Sequence, residues 1–411
     1  MAGNRKDSKG RNLRTGESER KDGYYQYRWT VNGKEKTVYA TSLSDLRKKE
    51  IQIRRDIEDG MDSQAADTLT LDDLFHKWMR SRENLRETTL VRNRQGYEGC
   101  IKERLGNKKL AKIKYSDIYD LFSYLVNHKK YSENYLRQIN TILQAVLEIA
   151  VKDDIIRRNP CKGVMSEISK KYFREKGKRH ALTIQEQEAF IDFLAGHPVY
   201  NRWLPIFTVL FGTGLRIGEF AGLRWKDCDF ENNTISVNYS YVYYNIGGNK
   251  GQKMKSGIHK PKTKNGERTI PMLSEVREAF LQAKDAQEKS NIKQAVVDGY
   301  TDFCFVTKAG NPYTSSDINH AIYSMVDKYN GEEEARAADE CREPNLIRRF
   351  SVHSIRHTFA SRLCENESNL KVIQELMGHR DIQTTMNVYA EATQEAKRLS
   401  IENLEGKIKL R

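Results

Sequence analysis

The hydrophobic period of this chain changes along its length, and each change marks a unit that needs its own architecture. From Tyr24 the pattern is alternation: Tyr25, Tyr27, Trp29 and Val31 are apolar, and Gln26, Arg28 and Thr30 between them are polar. A period of two is that of a strand with one buried face. Asn32-Gly33 follows, and both residues tolerate positive φ, which suits a two-residue hairpin turn. Lys36-Thr37-Val38-Tyr39 then returns as the partner strand. From about Ser44 to Asp59 the spacing lengthens to that of a helix, with Leu46, Ile53 and Ile57 on one side and Gly60 at its end. This unit, residues 23–62, has only a modest core. Residues 1–22 carry many Lys, Arg, Gly and Ser without periodicity and read as a disordered basic arm.

Beyond a polar linker at 61–68 the period is helical throughout 69–162. Thr70 with Asp73 marks a capped helix start, followed by Leu74, Phe75 and Trp78. Three more helical stretches carry Tyr97, Ile101 and Leu105; Ile118, Leu121, Phe122 and Leu125; and Leu136, Ile139, Leu143 and Val146. Asn159-Pro160 ends the run. Four amphipathic helices with short connections predict a compact bundle. Residues 163–180 are basic and poor in apolar side chains, and read as an interdomain linker. Its Lys171, Arg174 and Lys178 are candidate contacts to a polyanion, as are Arg28, Lys34 and Lys36 on the hairpin.

A third domain, 181–392, opens on the capping box Thr183-Ile184-Gln185-Glu186. An apolar helix from Trp203 to Phe211 stops at Gly212-Thr213-Gly214, and Arg216 begins the next helix. Ile235–Tyr244 predicts a strand, Gly247–Gly257 a Gly- and Lys-rich loop, and Lys260–Ile270 a returning strand; helices follow from Ser274. Residues 393–411 keep helical spacing. The expected fold is therefore multidomain and mainly α with small β elements: an N-terminal small β-sheet plus helix, a helical bundle, and a mixed α/β domain.

Charge narrows the function classes. Seventy Lys and Arg against 56 Asp and Glu leave a net +14, which calls for a polyanionic partner. No apolar run approaches the ~18 residues of a membrane span, and the N-terminus lacks the apolar stretch of a signal peptide. The six cysteines, at 100, 161, 228, 304, 341 and 364, contain no C-x-x-C, so neither a zinc knuckle nor a redox pair is supported.

The chemistry concentrates late in the chain. Thr213-Gly214-Leu215-Arg216-Ile217-Gly218-Glu219 is followed by His353-Ser354-Ile355-Arg356-His357, Leu376-Met377-Gly378-His379 and Tyr389. Two arginines, several histidines and a tyrosine form an inventory for attacking a phosphodiester. Guanidinium forks neutralise non-bridging oxygens, imidazoles move protons and a phenol can be the nucleophile. Each residue alone has a plainer reading: a surface ion pair for either arginine, a structural role for a lone histidine, and core packing for one tyrosine among 21. His353 and His357 have the four-residue spacing of a metal pair, but no carboxylate lies between them as in H-E-x-x-H. Lys260–Arg268 reads as a solvated edge strand, a phosphate-contacting patch, or a carrier of a proton-donating lysine.

Taken in order, Thr213–Glu219, Lys262-Thr263-Lys264, His353-x-x-Arg356-His357, Leu376–His379 and Tyr389 resemble the tyrosine recombinases, the phage lambda integrase class. The layout is most similar to integrases of conjugative transposons and temperate phages. The resemblance implies a tyrosine-recombinase catalytic domain at 181–392, a core-site-binding domain at 69–162, an arm-site-binding domain at 23–62, and a C-terminal helix at 393–411 that docks on a neighbouring protomer. It implies Tyr389 as the nucleophile that forms a 3′-phosphotyrosyl bond, Arg216 and Arg356 as phosphate clamps, and Lys262 as the acid for the leaving 5′-oxygen. It further implies His353 as general base, His379 as a hydrogen-bond donor to the phosphate, and Glu219 as the supporting acid. Lys264, two residues from Lys262, shares its face of a strand and competes for the same role. His357 is the member of its box least needed for the chemistry. Neither metal, ATP nor any other cofactor is implied. The implied partners are double-stranded DNA at core and arm sites, a homo-tetramer on that DNA and an accessory directionality factor, in a bacterial cytoplasm at the nucleoid. Two other readings keep the scaffold with a different role. One is a DNA-organising protein without catalysis, and the other is a relaxing enzyme of the type IB topoisomerase kind.

Overall fold

The computed structural model describes residues 5–31, 34–61, 63–173, 181–247, 251, 253–261 and 266–390. The chain divides into two compact units, residues 1–176 with 246–253, and residues 177–245 with 254–411.

In the first unit the alternating segment forms strand Tyr25–Val31, paired antiparallel with Lys34–Ala40 so that Tyr27 faces Val38 and Trp29 faces Lys36. The helix Leu43–Glu58 starts at Ser42, whose hydroxyl accepts from the Asp45 N–H, and it covers the face bearing Tyr25 and Tyr27. The expectation of a disordered arm over 1–22 is corrected for the described residues. Glu17–Glu19 adds a third strand beside Tyr25–Val31. Two buried acids secure the segment where apolar side chains are lacking. Glu17 accepts from Arg47 Nε at 3.0 Å and from the Arg14 N–H at 2.7 Å; Asp7 accepts from Arg11 and from the Tyr25 hydroxyl. Order that rests on paired charges leaves no hydrophobic periodicity to read.

The helical segment packs as the periodicity predicts. Leu71–Arg80 begins at the Thr70–Asp73 capping box, and Phe75 stacks face to face on Tyr97 with ring centroids 3.7 Å apart. Tyr115–Asn127 and Glu133–Lys152 close a core containing Ile101, Ile118, Phe122, Leu143 and Val146. The reading of 163–180 as linker is also corrected: Val164–Tyr172 is a helix, and Val164, Met165 and Ile168 lie buried in the same core. Its lysines fall in the last turn, where the carbonyl ends of the peptide dipoles favour cations. Residues 174–180 and 391–411, and so the proposed C-terminal helix, lie outside the described residues.

In the second unit the apolar helix Leu204–Thr213 runs through the core, flanked by Ile184–Gly196, Ser274–Ser290 and Val352–Asn366. Phe190, Phe207, Phe220, Phe280, Ile318 and Met325 fill the interior. The predicted strand pair is corrected in register. Thr234–Val237 pairs with Arg268–Pro271 in one sheet, whereas Ser240–Asn245 pairs with Met254–His259 in another. The chain changes partner at Asn238-Tyr239, although the sequence pattern continues through it. No described helix is long and apolar enough to cross a membrane.

Candidate active site

Four segments of the second unit meet at one helix end. Leu370–Met377 stops because Gly378 takes the left-handed conformation (φ 59°), and the Gly378 N–H bonds back to the Glu375 carbonyl. The last carbonyls of such a helix have no partner within it. Here four successive carbonyls each accept from a side chain. The Leu376 carbonyl takes Arg268 Nε at 2.8 Å, Met377 takes Arg356 Nη2, Gly378 takes Arg216 Nη2 at 2.8 Å and His379 takes Gln374 Nε2 at 3.2 Å. The negative end of the helix thus holds three guanidinium groups side by side.

Glu219 ties the cluster from the opposite side. Its carboxylate accepts from Arg216 Nη1 at 2.7 Å, from the Arg216 N–H at 3.0 Å and from Arg268 Nη2 at 2.9 Å. Burial works to raise its pKa. The hydrogen bond and charge of Arg268, with the charge of Arg216, outweigh this and hold it at about 2. Glu219 is therefore ionised at neutral pH, one negative charge among three positive ones.

Arg356 sits deepest of the three. It donates Nη1 to the Gly214 carbonyl at 2.6 Å, and burial, followed by repulsion from Arg216, lowers its pKa to about 9. Gly214 makes that contact possible. It ends Leu204–Thr213 at φ 59°, and a Cβ there would stand 2.3 Å from Phe359. The Thr-Gly break ahead of Arg216 is thus the bend that brings this carbonyl to Arg356.

His379 follows the helix end and is buried. Its Nδ1 lies 3.0 Å from the hydroxyl of Thr385, itself fully buried, which fixes the ring. Burial first, then the charges of Arg356, Arg216 and Arg268, push its pKa down to about 4, so the imidazole is neutral at pH 7. Tyr389 lies on the final described helix, 382–390, with its ring against the small cluster of Ala360, Cys364, Ile373, Met377 and Val388. His353 is exposed near the start of Val352–Asn366, its ring edge-on to His357 with centroids 5.0 Å apart.

Of the candidates read from sequence, the structure gathers Arg216, Arg356, Glu219 and His379 around one turn. Lys262 and Lys264 lie outside the described residues, as do Arg174 and Lys178. Lys171 is exposed on Val164–Tyr172 and bonds the Tyr119 hydroxyl at 3.1 Å. The hairpin candidates do not form one patch. Arg28 is exposed on the open face of the sheet, ion-paired with Glu35, while Lys36 is in register with Trp29 on the face that carries the core residues. The side chain of Lys34 is outside the described set. Sequence reasoning passed over Arg268 and Thr385. Arg268 reads as one more cation in a charged hairpin return; nothing local marks it as buried. Among the described residues no group of three His, Cys, Asp or Glu is placed to hold a metal ion.

Comparisons with known proteins converge on one kind of protein. Residues 180–396 match the model of the phage integrase family, 70–126 that of a phage integrase N-terminal SAM-like domain, and 1–59 that of the DNA-binding domain of the Tn916 integrase. The chain is 30% identical to the transposase of transposon Tn916 from Enterococcus faecalis, over 99% of this chain and 100% of the relative. It is equally similar to the Tn1545 transposase of Streptococcus agalactiae, over the same shares. The solved structure of the Tn1549 transposon integrase in complex with transposon right end DNA is 31% identical, with a TM-score of 0.68 over 82% of this chain and 100% of that one. A lambda integrase dimer bound to a core site shares the fold at 17% identity and a TM-score of 0.50, over 92% of this chain and 95% of that one.

Proposed function

This chain belongs to the phage integrase family and is a tyrosine-type site-specific recombinase of a mobile element, and on that premise we propose that the arginine cluster is its phosphate site and Tyr389 its nucleophile. The observation that carries the reading is the cluster of three guanidinium groups at one helix end, with Arg216 and Arg268 bonded to the carboxylate of Glu219 and Arg356 bonded to the Gly214 and Met377 carbonyls beside them. Three buried or half-buried cations facing one anion leave an excess of positive charge. An isolated buried charge is costly, and a phosphate anion would offset it.

In the proposed reaction the Tyr389 oxygen attacks the scissile phosphorus. The bond to the 5′-oxygen breaks, and the 3′-phosphate becomes esterified to the phenol. Arg216 and Arg356 bind the non-bridging oxygens and stabilise the charge that builds there. Neutral His379 donates a hydrogen bond to the same group. His353 takes the phenolic proton and Lys262 supplies one to the leaving 5′-oxygen, with Lys264 as the alternative donor. One ester replaces another, so the bond energy is retained in the phosphotyrosine and attack by a second 5′-hydroxyl reseals the strand. Neither ATP nor metal enters this scheme.

The remaining parts take roles around that step. The three-stranded sheet with its helix binds arm sites and the helical bundle binds core sites, as expected of 23–62 and 69–162. Lys171, in the last turn of the helix Val164–Tyr172, contacts the DNA backbone together with Arg174 and Lys178. Exchanging strands between two duplexes breaks four strands, one tyrosine for each, which supports a homo-tetramer on DNA with 393–411 docking on a neighbour. The transesterification is nearly isoenergetic, so an accessory factor sets the direction. The setting is the bacterial cytoplasm, at the nucleoid.

A nicked suicide duplex carrying the element's end tests the core of this reading. The wild-type chain should form an adduct stable to denaturant, and Tyr389→Phe should bind the duplex equally but form none. An undiminished adduct with that variant refutes the assignment.

A further inference from the structure

We propose that Arg268 is a positioning residue of the phosphate site, joining the carboxylate that orients Arg216 to the helix end that carries His379. Arg268 is buried, with 6% of its side chain exposed, and stands at the start of strand Arg268–Pro271. One edge of its guanidinium reaches Glu219 Oε2 at 2.9 Å and its Nε reaches the Leu376 carbonyl at 2.8 Å. The adjacent carbonyls, Met377 and Gly378, are those held by Arg356 and Arg216. Arg268 therefore fixes both supports of Arg216: the Glu219 carboxylate that Arg216 grips through Nη1, and the helix end that it grips through Nη2. Its strand pairs with Thr234–Val237, where Arg268 is in register with the fully buried Val237, so the fork is anchored to the sheet.

The planar fork is what this position requires. Two bonds in different directions from one rigid group set an angle as well as a distance, and a lysine ammonium provides only a point charge. Because Arg268 contacts Glu219 and a backbone carbonyl, its part is to hold Arg216 and the His379 turn in register with each other. Misplacing a clamp by about 1 Å costs on the order of 100-fold in rate while leaving much of the ground-state binding intact. Loss of Arg268 should thus separate cleavage from binding.

This inference rests on the arginine cluster being the phosphate site, and the experiment separates the two. The full-length chain, Arg268→Lys, Arg268→Met and Tyr389→Phe are compared on the nicked suicide duplex in single turnover at saturating protein, with duplex affinity measured in parallel. Thermal melting reports folding. The expected result for Arg268→Met is an adduct rate reduced at least ten-fold with affinity within about three-fold of wild type. Arg268→Lys, which keeps the charge and loses the fork, should melt close to wild type and recover only part of the rate. If wild type forms adduct and both variants match its rate, the inference is overturned and the site reading stands. If Arg268→Lys restores the full rate, charge alone is needed and positioning by the fork is overturned. If affinity and rate fall together in both variants along with the melting temperature, Arg268 is a structural residue only. If wild type forms no adduct that Tyr389→Phe lacks, the site reading and this inference both fail.

Discussion

Replacing Glu219 by Gln tests whether the carboxylate is there for its charge. The side chain is 7% exposed and its pKa is held at about 2, against an ordinary 4.5. At about 1.4 kcal/mol per tenfold change in proton affinity, the ionised form contributes ~3 kcal/mol to folding at neutral pH. The sign follows from the direction. A carboxylate whose pKa is lower in the folded state gives its full contribution above the unfolded value, and loses it as pH falls from about 4.5 towards 2. Glutamine resembles the protonated acid, so the stability gap between wild type and Glu219→Gln should be ~3 kcal/mol at pH 7 and shrink by ~2 kcal/mol at pH 3.

Urea unfolding at the two pH values measures that gap. Trp203 and Trp225 both pack against the catalytic core, so a background with Trp29 and Trp78 changed to Phe lets fluorescence report that unit alone. A gap that is equal at pH 3 and pH 7 would mean that Glu219 acts through shape and hydrogen bonding. A gap under ~1 kcal/mol at pH 7 would mean that the three guanidinium groups do not need it. Either result removes the electrostatic basis for reading the cluster as a site that awaits an anion.

Two further outcomes follow from the same geometry. Gly214→Ala places a Cβ 2.3 Å from Phe359 at a φ of +59°, and should destabilise the catalytic unit by more than ~2 kcal/mol while slowing adduct formation, because the carbonyl held by Arg356 moves; an unchanged melting temperature contradicts this. His379, with its pKa lowered from 6.5 to about 4, is a base that binds its proton more weakly when folded, so the unit should lose up to ~3 kcal/mol as pH falls from 6.5 to 4, and His379→Gln should flatten that part of the unfolding curve; a variant with an unaltered curve shows that the acid sensitivity arises elsewhere.

The elements with strong periods were legible. The strand from Tyr25, the capped helix at Thr70 and the apolar helix before Gly214 follow from the sequence because local burial dictates them. The strand formed by Glu17–Glu19 did not, since its stability comes from the Arg47 side chain and the Arg14 backbone N–H binding a buried glutamate, and no spacing rule records that Arg47, 30 residues away, is its partner. The helix Val164–Tyr172 was hidden by its composition: only Val164, Met165 and Ile168 mark the buried side, too few to stand out among lysines. The switch of pairing at Asn238-Tyr239 depends on which strand returns, information that alternation within one segment does not carry.

The candidate active-site boxes show the same limit in another form. Arg216, Glu219, Arg356 and His379 are visible because their side chains are chemically distinctive, yet what brings them together is largely backbone. The carbonyls of Gly214, Leu376, Met377 and Gly378 accept from the three arginines, and a carbonyl has no residue identity to recognise. What sequence does reveal are the two glycines, Gly214 and Gly378, which end their helices in the left-handed conformation and so turn those carbonyls outward. A Thr-Gly-x-Arg segment and a Gly-His pair are therefore two halves of one device. Each glycine stops a helix where its unpaired carbonyls can hold an arginine, and the helix ends place the cations more rigidly than solvent-exposed side chains could place one another. It follows that the clamp forms only when Leu370–Met377 is docked, since that helix and its capping Gly378 supply three of the four carbonyls. The turn that carries His379, and the helix with Tyr389 that follows it, are thereby tied to the assembly of the proposed phosphate site.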